Sequence, residues 1–297
     1  LNDNLKGSLF MVLAMLGFAI EDAFFKTATN GVSPGVGTMM FGALGTAFFV
    51  ARCKVRREPV WTRRYVQGPL LIRSGFEIVG RLFFALSLAF TPLSTTSAIL
   101  QAAPLVVTLG AALVLKEAVG VRRWSAMAVG FIGVLLIVKP IPSSFDATAI
   151  FAVLGMIGFA GRDLMTRASP PEVSATQLGI LGFLMVFIAG VVITLFETQP
   201  LAVPEAWSAV LILCTAFSGV LAYSALTKAM RTGEVSVVAP FRYSRLLIAL
   251  VIAYVIFGER PDSLTLFGAA LIVGSGTYTL IRGAKKDRAG SAKQTGV

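Results

Sequence analysis

The chain has 297 residues, 56% of them hydrophobic and 14% charged, with a mean hydropathy of +0.82 and a net charge of +11. A soluble protein carries about 25% charged residues, and several apolar runs here are long enough to cross a bilayer, so the chain reads as a polytopic helical membrane protein with the lipid bilayer as its partner. The basic residues sit in short loops and a tail between apolar runs, which excludes a nucleic-acid footprint, and the absence of histidine excludes His-based triads, relays and zinc sites.

Ten membrane spans are predicted, at roughly 5–25, 34–51, 69–90, 93–115, 122–139, 148–167, 173–195, 205–228, 234–257 and 263–282. The first reads as a mature helix, not a cleavable signal. It carries Glu21 and Asp22 toward its outer end. The third holds Arg73, Glu77, Arg81 and Phe84 at spacings of four, four and three, which share one helix face. Either this is a polar stripe lining a cavity, with Glu77 holding Arg81, or it is an ion-pair ladder pinning the span to its neighbours. On the fourth span Thr95, Gln101 and Thr108 interrupt an apolar run and Pro104 is placed to bend it. Gln101 suits either a substrate's polar end or a bond between helices. Ser94 and Ser236 begin the fourth and ninth spans as expected caps.

The sixth span carries Arg162 and Asp163 toward its inner end, and the eighth carries Tyr223. Phe84 and Tyr223 are the expected aromatic contacts of a cavity. The ninth span holds Arg242 and Arg245, three apart and so on one face, just after Pro240. They lie roughly 10–17 Å into the span. An arginine facing lipid there costs at least ~2.5–3.5 kcal/mol, so both are expected to face protein or water. Their alternative role is structural, neutralised by Glu77, Asp163 or backbone carbonyls. The polar, basic stretch 284–297 is expected to be a disordered cytoplasmic tail. Cys53 and Cys214 lack metal-type spacing and read as free thiols; no metal or cofactor is expected.

With both termini placed in the cytoplasm, the inner loops collect Arg52, Lys54, Arg56, Arg57, Arg63, Arg64, Lys116, Arg122, Arg123, Arg167 and Arg231, among others. The outer loops collect Lys26, Lys139 and Arg260. That asymmetry supports an even number of crossings. The halves also repeat. Leu16–Ala28 (LGFAIEDAFFKTA) resembles Ile157–Ser169 (IGFAGRDLMTRAS), aligning Asp22 with Asp163, and Glu117 and Glu259 close matching spans. A five-span repeat is odd in number, so the second copy enters the membrane inverted. The expected architecture is therefore all-α: ten transmembrane helices in two inverted five-helix repeats, 1–145 and 146–283, around a central cavity. In that frame Asp22 and Asp163, with Pro104 and Pro240, are gate or framework residues. Glu117 and Glu259 are structural. Glycines such as Gly155, Gly158, Gly161, Gly268 and Gly274 are close-packing positions.

The segments APLVVTLGAALVLKEAV and APFRYSRLLIALVIAYVIFGERPD, each followed by a glycine-rich span, resemble the drug/metabolite transporter superfamily in its ten-helix branch. The first half has Lys116–Glu117 where a Gly–Glu pair is common in that superfamily. The resemblance implies a transporter of the bacterial inner membrane, similar to bacterial exporters of amino acids, aromatic ones among them, and to carriers of riboflavin, nucleotide-sugars or organic anions. An amino acid offers a carboxylate to Arg81, Arg242 or Arg245 and an ammonium to Glu77, with Phe84, Gln101 and Tyr223 as further contacts. The expected activity is amino-acid export by alternating access. A carrier of a larger anion, riboflavin or a phosphorylated metabolite, suits the arginines better and Glu77 less. An enzyme is not expected: no nucleophile–base pair or metal motif is present.

Overall fold

The structure, a computed structural model, describes residues 2–90, 96, 99–138, 147–197, 204–248, 251 and 262–295. The readings at Ser94, Thr95, Lys139, Glu259 and Arg260 lie outside the described residues. Regular structure among the described residues is all helical. The first half contains α1 (Asp3–Ala28), α2 (Pro34–Val55), α3 (Gly68–Phe90), α4 (Ala103–Val114) and α5 (Val121–Val138). The second contains α6 (Ala149–Arg167), α7 (Ala175–Phe196), α8 (Ala206–Arg231), α9 (Val235–Val238) and α10 (Ser263–Thr295).

Six of these, α1, α2, α5, α6, α7 and α8, are long and apolar enough to cross a membrane. Helix α3 is as long, at 23 residues, but carries Arg73, Glu77 and Arg81. The ninth span is broken: α9 gives way to a 3₁₀ turn, Ala239–Tyr243, before helix resumes. Pro240 lies in that turn, where its missing N–H loosens the α-helical ladder. Pro104 sits in the first turn of α4. A proline there removes no helical hydrogen bond, so it starts this helix instead of bending it. Helix α10 runs on to Thr295, across the basic stretch read above as disordered. That stretch is rich in Ala and Lys, residues of high helix propensity.

The halves interlock through α1 with α8, α3 with α6, α2 with α7 and α5 with α10. Exchanging the halves maps the first pair onto the second and each of the others onto itself, which is two-fold symmetry. The direction of each pair follows from its glycines. Gly45 lies against Phe183 and Gly179 against Phe49, so α2 and α7 are antiparallel. Gly133 meets Gly268 while Gly130 meets Ser275, so α5 and α10 are antiparallel as well. Equivalent helices of the two repeats thus run in opposite senses, which is the inverted repeat expected from the odd span count. Gly155, Gly158, Gly161 and Gly268 each lie where a Cβ would press on the facing helix, whereas Gly274 faces open space.

Connections at the end bearing the basic loops are tied to one another. The Glu117 carboxylate accepts from the N–H groups of Val235 and Ser236, at 3.1 and 3.2 Å, capping α9 from the α4–α5 loop. Ser236, expected as that cap, instead accepts from Arg123 through its hydroxyl at 2.7 Å. Asn4 accepts from Glu234 N–H, and Arg231 donates to the carbonyls of Pro170 and Val173. Arg64 pairs with Glu172, and Gln177 donates to the Pro59 carbonyl.

Candidate functional site

Close approach of α3 and α6 sets the geometry. Gly80 and Gly158 pack backbone to backbone at their crossing, which lets side chains one turn away reach across. Glu77 is fully buried and accepts from Arg162 of α6 at 3.0 Å. Its second oxygen accepts from the Tyr223 hydroxyl of α8, also at 3.0 Å. Arg73, equally buried, donates to Tyr223 and, at 2.9 Å, to the Thr166 hydroxyl. Arg162 also donates to Asp163 at 2.8 Å, and Asp163 takes Arg242 on its other oxygen. The result is one continuous buried network: Arg73, Tyr223, Glu77, Arg162, Asp163, Arg242. A buried charge is tolerated when paired and hydrogen-bonded in this way.

Several expectations are redrawn by this arrangement. Glu77 makes no ion pair with Arg81; its hydrogen bonds come from α6 and α8, with Arg73 of its own helix farther off at 3.9 Å. Tyr223, expected to face a cavity, is 2% exposed and acts as a link in the network. Phe84 packs edge to face on Phe159 at 5.9 Å. Gln101 lies half-buried in the turn ahead of α4. Arg242 and Arg245 diverge: the first takes Asp163 of α6, the second takes Asp22 of α1. The two aspartates aligned by the repeat thus each hold one arginine of the ninth span. Tyr243 packs against Val134 and Ile272.

Arg81 and Glu21 stand outside the network and, among the described residues, outside any ion pair. The buried Nε of Arg81 has no hydrogen-bond partner. Its guanidinium carbon lies 5.7 Å from the Phe41 ring centre and 5.9 Å from that of Phe159, so aromatic faces are its neighbours. Glu21 is 6% exposed with one oxygen unpartnered. Sequence reasoning noted Glu21 only as a neighbour of Asp22; its isolation comes from tertiary packing, which spacing does not reveal. The Asp22–Arg245 pair is the exposed one, its side chains 54% and 37% accessible. The site residues therefore divide into a buried half toward the basic loops and an open half beyond it.

The EamA-like transporter family matches this chain twice, over residues 5–139 and 146–281. A riboflavin transporter of Vibrio cholerae is 26% identical over 96% of both chains. An S-adenosylmethionine uptake transporter of Rickettsia felis is 30% identical over 73% of this chain and 72% of its own. A crystal structure 16% identical in sequence superposes with a TM-score of 0.81, covering 94% of this chain and 98% of the other, and so shares the fold.

Proposed function

Because the chain belongs to the EamA-like transporter family, we propose that it carries a flat heteroaromatic metabolite larger than an amino acid, riboflavin or a phosphorylated compound, by alternating access. The observation that carries this reading is Arg81: a guanidinium whose buried Nε has no hydrogen-bond partner, set among the rings of Phe41 and Phe159. Such a group offers a planar cation for stacking and several N–H donors for carbonyl or phosphate oxygens. Glu77, expected to take an amino acid's ammonium group, is already occupied by Arg162 and Tyr223. The V. cholerae and R. felis relatives, named for riboflavin and S-adenosylmethionine, favour the larger substrate. The basic loops and bacterial relatives support an inner-membrane location with both termini cytoplasmic.

The test is uptake into proteoliposomes of labelled riboflavin, flavin mononucleotide, S-adenosylmethionine, tryptophan and leucine. Saturable flavin or adenosyl flux with counterflow supports the proposal; flux of the amino acids alone overturns it. Arg81→Gln should lower flavin flux at limiting substrate by roughly ten- to a hundredfold, the effect of about 1.5–3 kcal/mol for a lost charged hydrogen bond. Unchanged flux in that variant would remove Arg81 from the site.

A further inference from the structure

Mid-helix carboxylates in this protein are handled in two ways. Asp22, Glu77 and Asp163 each have an arginine within ion-pair distance. Among the described residues Glu21 has no ion pair, and its Oε2, sealed from solvent, has no hydrogen-bond partner. That oxygen lies 2.9 Å from where a Cβ on Gly219 of α8 would stand, and the Phe41 ring edge of α2 lies 2.7 Å from the same point. The carboxyl therefore occupies an apolar nook that exists because residue 219 has no side chain. An ionised carboxylate is costly to bury there without a hydrogen bond to that oxygen.

The charged groups acting on Glu21 come from each element around it. Helix α3 supplies Arg81 and Glu77, α6 supplies Arg162, and the ninth span supplies Arg245. Asp22 is its neighbour on α1, while α2 and α8 present Phe41 and Gly219. Arg162 is compensated by Glu77, and Arg245 by Asp22. Among the described residues Arg81 has no ion pair, and its Nε has no hydrogen-bond partner. Arg81 and Glu21 thus lie close enough to act on each other's charge without forming an ion pair.

Repeat symmetry relates this place to the closed network. Tyr223 stands 142 positions after Arg81 and Gly219 stands 142 after Glu77, while Arg162 stands 141 after Glu21. The equivalents of Arg162 and Tyr223 are therefore Glu21 and Arg81. At the buried end the α6 residue is engaged across the helix crossing; at the other end the α1 residue hangs free.

We propose that Glu21 is the proton-binding site that couples transport to proton movement, exchanging its proton for Arg81 as the halves rock. In the conformation described, the neutral carboxyl rests against Phe41 and Gly219. In the alternate one it meets Arg81: the carboxyl O–H bond breaks, the proton passes to water, and the carboxylate pairs with the guanidinium. The proposal rests on the transport reading above, but one of its tests needs no substrate.

Infrared titration of the detergent-purified protein near neutral pH should show a protonated-carboxyl stretch that Glu21→Gln removes. The same stretch persisting in that variant overturns the proposal, whether or not any substrate is known. In riboflavin-loaded proteoliposomes, one pH unit across the membrane should support up to about tenfold accumulation at one proton per substrate. Glu21→Gln should still exchange riboflavin but lose that accumulation, and Glu21→Asp, which keeps a carboxyl, should retain it. Accumulation by Glu21→Gln equal to that of the parent overturns the proposal. Absence of flux for every substrate tested, with the infrared band present, overturns the substrate reading and leaves the proton site standing.

Discussion

Glu77 answers to Arg162, Tyr223 and Arg73 from a position with no solvent exposure. Removing its charge leaves buried Arg73 without a carboxylate partner and Arg162 with Asp163 alone. Breaking a buried ion pair from one side is destabilising by roughly 3–5 kcal/mol. Glu21 has no such partners, so neutralising it strands nothing. Glu77→Gln should therefore lower the thermal midpoint in detergent markedly, while Glu21→Gln leaves it unchanged or raises it. Equal midpoints for the two variants would mean that the network contributes little to the fold. The importance of Arg73, Glu77 and Arg81 is legible from sequence, since charge is rare at bilayer depth. Their partners are not. Helical spacing offers only i+4 neighbours, whereas the partner of Glu77 lies 85 residues away, chosen by how closely Gly80 and Gly158 let two helices approach.

Between α4 and α5 the chain turns through Lys116, whose φ of 55° lies in the left-handed region. That turn sends the Glu117 N–H back to the Ala111 carbonyl at 3.1 Å and aims the Glu117 carboxylate at the start of α9. A side chain in this region is disfavoured by about 1–2 kcal/mol relative to glycine. The Lys116 side chain is exposed, so little is lost by deleting it. Lys116→Gly should raise the thermal midpoint, by an amount reduced by the greater freedom of glycine in the unfolded chain. A lower midpoint would mean that the lysine makes a contact worth more than the strain. The superfamily resemblance flagged this position as a departure, and the backbone supplies the reason glycine suits it. The number and polarity of the spans were readable in the same way, from apolar length and the odd repeat. The break after α9 was only half readable: Pro240 announces a bend, but the length of the 3₁₀ turn depends on neighbours that sequence does not name.

At the scale of the molecule, the two ends are in different states. Toward the basic loops the connections are cross-tied and the charges beneath them buried. Toward the other face the Asp22–Arg245 pair is open. A charged pair exposed to lipid at that depth is unfavourable by several kcal/mol, so its exposure implies water entering from the face opposite the basic loops. On the alternating-access proposal above, this arrangement is the limb shut at the basic end. In a Cys53→Ser, Cys214→Ser background that still transports, Asp22→Cys should react with a membrane-impermeant thiol reagent added on the face opposite the basic loops. Thr166→Cys, at a position 3% exposed beneath the buried network, should resist the reagent from either side. Reaction of Thr166→Cys from the basic face, with Asp22→Cys protected, would show that the protein rests in the opposite limb and that the network opens more readily than its ion pairs imply. Substrate added on the open side should slow the Asp22→Cys reaction, because closure around it moves that water-filled space to the other end.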